Sequence, residues 1–262
     1  MSFNKLYDFN TSTIYDIEQD KEGNYWFGTS DGLVKFNGQA FSYHVPTGYS
    51  KEVTNINIDA WGRVWCSNFG GQLFFLENDK LRTAIDKPGG KSFICNYIVT
   101  SETEVYYHLW ENKKIVRFNY QTGKKELEVP LCENSIILDL KKVEDSFEVI
   151  HFRTTTGLEV NREIYRSNYY PKENRIEHQD TIKAFFSSSK LKVIHGESDS
   201  YLVSAGNRIL TLIHLKNSNG SIIQKELFES GSKSNDFLVQ GNNLVLLKKT
   251  SIISTPLTSD NT

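Results

Sequence analysis

Methionine is almost absent from this chain, which has one, and proline and cysteine are sparse at five and three. The three cysteines, Cys66, Cys95 and Cys132, are too few and too scattered for a disulfide framework or a C-x-x-C metal site. They read as core or edge thiols. Alanine is scarce, and no stretch carries a helical period with caps, so helices are not expected. No apolar run approaches the roughly 20 residues that a membrane-spanning helix needs. The opening residues, MSFNKLYDFN, lack the apolar core of a signal peptide. The chain is therefore expected to be cytosolic, or a piece of a longer protein that carries its targeting segment elsewhere. An excess of one charge is missing too: 30 Lys and Arg face 32 Asp and Glu, a net charge of −2. That leaves no electrostatic case for nucleic acid or for an anionic membrane surface. No low-complexity linker or charge block divides the chain, so one domain is expected over residues 1–262.

What the sequence has instead is aromatic residues, 13 Tyr and 16 Phe, in short alternating segments. One stretch repeats. Asp20, Gly23, Trp26 and Gly32 return as Asp59, Gly62, Trp65 and Gly71, each 39 residues later. A fixed offset over four positions marks an internal repeat. In the first copy, TIYDIEQD and NYWFGT suit a pleated, half-buried surface. DKEGN between them is a hairpin turn, with Asp20 bonding the backbone ahead and Gly23 free to take positive φ. SDG turns the chain again before LVKFN, and NGQ before AFSYHV. Four antiparallel strands in about 40 residues make one blade of a β-propeller.

The strand rhythm continues to the end of the chain. It predicts an all-β propeller with blades at 12–48, 52–86, 91–131, 134–181, 188–229 and 234–258. The aromatic equivalent of the repeated tryptophan in the third blade is Tyr106 or Tyr107. The sixth unit has three strands, and residues 2–9 form a strand with no blade of its own. Pairing that strand beside the last three would close the ring and hide a sheet edge that invites aggregation. Six blades are expected; seven is the alternative, should two irregular blades be merged between Ile136 and Phe228.

On these residues the chain resembles the two-component regulator propeller repeat. Ile17, Asp20, Gly23, Trp26, Gly28, Thr29, Gly32, Leu33, Phe36 and Gly38 fall on its pattern. The second copy matches less completely: Ser67 stands where Gly28 does, and its third strand is shifted by about one residue. The resemblance implies the extracytoplasmic, periplasmic sensor region of a bacterial membrane histidine kinase or hybrid two-component system. It implies a non-catalytic segment, because no phospho-acceptor helix or ATP lid is present. Asp20, Gly23 and Trp26 read as turn and inter-blade packing residues rather than as a binding site.

Streptogramin lyases carry similar repeats, so an enzyme is a competing reading. The six histidines show no H-x-x-x-H or H-E-x-x-H spacing, and neither G-x-S-x-G nor a P-loop occurs. His195-Gly196-Glu197 has half of a deaminase signature without its P-C-x-x-C half. No cofactor and no metal site are expected. The expected partner is a small polar ligand, with a protein-interaction or purely structural role as the alternative. Contact with a membrane would come only through segments outside this chain, and a dimer as part of a receptor is compatible with the reading. The loops between second and third strands, and those entering first strands, fall on one face of a propeller. The candidate ligand residues there are Trp110, Arg153, Tyr49, Phe69 and Asp31, with aromatic faces for stacking and charged groups as anchors.

Overall fold

Among the described residues of a computed structural model, the alternating segments fold into six antiparallel sheets. The structure describes residues 11, 13–86, 94–109, 114–130, 135–153, 161–185, 190–195, 200–205, 210–214, 234–240, 243–248 and 252–256. The first sheet is β1 (Ile14–Gln19), β2 (Tyr25–Thr29), β3 (Gly32–Phe36) and β4 (Phe41–His44), in that order. The second is β5 (Val53–Ile58), β6 (Val64–Asn68), β7 (Leu73–Glu77) and β8 (Lys80–Ile85). The third is β9 (Ile94–Val99), β10 (Glu104–Leu109), β11 (Lys114–Asn119) and β12 (Lys124–Pro130). The fourth has longer strands: β13 (Ser135–Val143), β14 (Ser146–Arg153), β15 (Asn161–Tyr170) and β16 (Arg175–Phe185).

Two further sheets show three strands each among the described residues. One is β17 (Lys190–His195), β18 (Ser200–Ala205) and β19 (Leu210–His214). The other is β20 (Ser234–Gln240), β21 (Asn243–Lys248) and β22 (Ile252–Pro256). The expected outer strand of the fifth unit and the expected N-terminal strand over residues 2–9 lie outside the described residues. Each sheet is a simple meander, and the first strands touch one another in sequence. β1 lies against β5, β5 against β9, β9 against β13, β13 against β17, β17 against β20, and β20 against β1.

The repeated Asp, Gly and Trp explain the local geometry. In the first sheet Asp20 Oδ1 accepts the backbone N–H of Asn24 at 2.8 Å, and the Gly23 N–H closes on the Asp20 carbonyl at 3.0 Å. Gly23 sits at φ 85°, in the left-handed region where a side chain is strained. The other carboxylate oxygen, Oδ2, accepts the Trp26 indole N–H at 2.8 Å. The second sheet repeats this: Asp59 Oδ1 accepts the Arg63 N–H at 2.9 Å and Oδ2 the Trp65 indole N–H at 2.9 Å. One carboxylate thus folds the hairpin and satisfies the single polar atom of a ring that is otherwise buried.

Both rings pack onto the following sheet, as expected. Trp26 clusters with Val53, Ile56, Val64 and Phe74 of the second sheet, and Trp65 with Ile94, Tyr97, Val105 and Tyr107 of the third. Sheets must approach closely for this. A Cβ on Gly28 would stand 2.6 Å from the Val53 carbonyl oxygen, so that position takes glycine. In the third sheet Thr100 replaces the aspartate, and its backbone N–H still closes on the Glu104 carbonyl at 3.1 Å. Of the two candidates for the tryptophan position, Tyr106 is the one that packs forward, against Ile137, Phe147 and Val149 of the fourth sheet. Tyr107 faces back towards Trp65.

Trp65→Ala removes a fully buried ring held by Phe75, Tyr97 and Tyr120 at centroid distances of 5.0, 6.4 and 5.2 Å. The expected cost is about 3–5 kcal/mol, read as a shift in the urea midpoint at unchanged m-value.

Candidate functional site

Three surface connections meet beside the boundary of the first two sheets. They are the β2–β3 turn at Ser30 and Asp31, the β4–β5 connection over residues 45–52, and the β6–β7 turn at 69–71. Lys51 Nζ donates to Asp31 Oδ1 at 2.8 Å, joining the first two. The Phe69 N–H donates to the Glu52 carbonyl at 3.3 Å, joining the second and third. Asp31 is held further by the Thr11 and Ser30 hydroxyls at 3.1 and 3.0 Å. The hydrogen bond from Lys51, then that from Ser30, lower the Asp31 carboxyl below its ordinary range, and the same pairing raises Lys51.

Two large apolar rings stand out of this cluster into solvent: Tyr49 is 61% exposed and Phe69 45%. Phe69 leans on Tyr15 with a centroid separation of 4.9 Å. Tyr15 belongs to β1, where the register shifts between Ile14 and Asp16. Such a bulge re-aims a side chain relative to the regular strand. Thus Asp31, Tyr49 and Phe69, three of the five residues expected from the sequence, are brought to one face. Arg153 ends β14, opposite Ser135, and its side chain lies outside the described residues. Trp110 lies outside them as well. Tyr15 was not legible as a site residue, because the bulge that presents it leaves no mark in the alternation. Gln72 was also missed. At the 39-residue offset it stands where the first repeat has the buried Leu33, so its signal is a polar residue in the place of an apolar one.

The histidines provide the test of an acid–base site. His44 is buried on β4, donating from Nδ1 to the Asp79 carbonyl at 3.2 Å. His151 sits between the hydroxyls of Ser135 and Ser167 at 3.2 and 3.1 Å. His108 is fully enclosed, with neither ring nitrogen hydrogen-bonded. Burial, and secondarily the neighbouring His151, push its pKa down to about 4. A ring so enclosed cannot touch a substrate at the loop face. Among the described residues no three His, Cys, Asp or Glu side chains cluster as metal ligands would.

The family comparison agrees with the turn geometry. Residues 8–31 match the model of the two component regulator propeller. The chain carries a two-component regulator propeller repeat. A curated relative, histidine kinase P4 of Formosa agariphila, is 46% identical over 43 residues, which is 16% of this chain and 3% of that protein. The matched part of this propeller chain therefore spans a small fraction of that relative's length. Among solved structures, virginiamycin B lyase from Staphylococcus aureus superposes with a TM-score of 0.65 at 12% identity, over 93% of this chain and 80% of that one. The extracellular domain of a putative hybrid two component system from B. thetaiotaomicron gives a TM-score of 0.56 at 14% identity, over 98% of this chain and 42% of that one. At such identities these structures establish the propeller-like fold, and the family match itself rests on residues 8–31.

The buried His108 generates a pH dependence. Its folded pKa lies below the usual 6.5, so the unfolded chain binds the proton first as pH falls. The stability associated with the neutral ring is complete above pH 6.5 and is lost progressively towards pH 4. The loss is on the order of 3 kcal/mol. Urea titrations between pH 7 and 4.5 should show a shallower pH slope for His108→Leu than for the parent chain.

Proposed function

We propose that this chain is a single six-bladed β-propeller over residues 1–262 that acts as the extracytoplasmic ligand-sensing segment of a two-component receptor. The observation that carries the reading is the loop face: two exposed aromatic rings, Tyr49 and Phe69, beside the Asp31–Lys51 ion pair, on a chain carrying the sensor-type repeat. Six sheets whose first strands touch in sequence, with β20 against β1, support a closed ring. The strand at residues 2–9 would then complete the last blade. The likeness to an extracellular domain of a hybrid system supports the location. Signal output belongs to segments beyond this chain, and the segment itself is non-catalytic.

The ligand is a small polar molecule with an apolar or π face. Such a ligand stacks on Tyr49 and Phe69 and places polar groups against Asp31 and Lys51. Trp110 and Arg153 extend the same face in this reading. The competing reading is a lyase, supported by the superposition with virginiamycin B lyase.

A thermal-shift screen of sugars, peptides and organic acids should yield a stabilising ligand. That stabilisation should fall at least tenfold in apparent affinity, about 1.4 kcal/mol, in Tyr49→Ala and Phe69→Ala while both variants keep the parent melting temperature. Ligands that bind both variants like the parent would exclude this face. Turnover of virginiamycin B by the parent chain would overturn the non-catalytic reading.

A further inference from the structure

The second repeat departs from the first at the loop face. In the first sheet Thr29 pairs with Gly32 across a two-residue turn, and the Thr29 hydroxyl donates to the Gly32 carbonyl at 2.8 Å. In the second sheet the turn is one residue longer. Asn68 and Gln72 now face each other, with the Asn68 N–H on the Gln72 carbonyl at 3.1 Å and the Gln72 N–H on Asn68 Oδ1 at 2.9 Å. Where the first repeat has a hydroxyl and a bare glycine, the second has two carboxamides. Both are buried, Asn68 at 3% and Gln72 at 1% exposure.

Burying two amides is costly unless every polar atom is satisfied. Here the partners come from three separate connections. Gln72 Oε1 accepts the Tyr49 backbone N–H at 3.1 Å and the Asn68 side-chain amide at 2.9 Å. Gln72 Nε2 donates to Asp86 Oδ1 at 2.7 Å, at the end of β8. Asn68 Nδ2 also donates to the Ser50 carbonyl at 2.7 Å. The connection is closely fitted to this network. A Cβ on Gly48 would lie 2.4–2.8 Å from the Gln72 carboxamide, and one on Gly70 would lie 2.8 Å from Tyr49 Cβ.

We propose that Gln72 is the positioning residue of the ligand face. Its carboxamide fixes the backbone of Tyr49 against the turn that carries Phe69, so the two rings stand at a set separation before any ligand arrives. The proposal rests on the reading of this face as the ligand face. Gln72 itself touches no ligand. Rigid presentation of both rings lowers the ordering cost of binding.

Backbone amide exchange tests it without a ligand. In Gln72→Leu the Tyr49 amide should exchange about tenfold or more faster, while Cys66, in the core of β6, keeps its parent protection. A general loss of stability would instead speed both. The double variant Gln72→Glu with Asp86→Asn reverses the donor and acceptor of the Nε2 bond and should restore slow exchange at Tyr49. An unchanged Tyr49 amide in Gln72→Leu overturns the proposal. Should that variant not fold, Gly48→Ala, which drives a methyl group into the carboxamide, carries the same expectation and the same refutation. Because no ligand is involved, the result stands apart from the thermal-shift screen.

Discussion

An indole N–H buried between two sheets must find an acceptor, and in this chain the acceptor is the carboxylate that also folds the preceding hairpin. Asp20 and Asp59 each divide their oxygens in this way, one to a turn amide and one to the ring of Trp26 or Trp65. The arrangement ties a local event, the β1–β2 or β5–β6 turn, to a non-local one, the packing of a sheet on its successor. Arg63 strengthens the second copy. It donates to Asp59 at 2.6 Å and to the Tyr120 hydroxyl at 3.0 Å, and lies against the rings of Trp65 and Phe75. Once two sheets are fixed in this way, the connection between them has a short span to cross, and its course over the surface is set.

That course creates the loop face. Second-to-third turns and first-strand entries fall on the side opposite the Asp–Trp turns, so the constraint that builds the core leaves the other side open to variation. The variation is visible in the residues that face each other across the turn, Thr29 and Gly32 in the first sheet, Asn68 and Gln72 in the second. Asp20, Gly23 and Trp26 repeat at the 39-residue offset; on the loop face Gly32 repeats as Gly71, while Thr29, Ser30 and Asp31 give way to Asn68, Phe69 and Gly70.

The legibility of the molecule follows the same division. The hairpins, the burial of Trp26 and Trp65, and the all-β meanders could be read because aspartate, glycine and aromatic residues act within six positions of one another. The convergence of Asp31, Tyr49 and Phe69 could be read because meander topology dictates which loops share a side. The choice between Tyr106 and Tyr107 could not, since Thr100 stands in place of the aspartate that marks the register. Tyr15 was hidden for a different reason: a β-bulge is a backbone event with no requirement for a particular residue. Gln72 is polar and reads as an exposed turn residue, and its burial depends on partners 14 to 23 residues away.

The central proposal is that ligand recognition belongs to the loop face, while the turns that set sheet-on-sheet packing lie on the opposite one. Amide-exchange footprinting of the chain with a bound ligand from the small-molecule screen tests this most directly. New protection over residues 30–31, 47–52 and 69–71, with none at the turns 21–24 and 60–63, is the predicted result. Protection confined to the turns at 21–24 and 60–63 would contradict it.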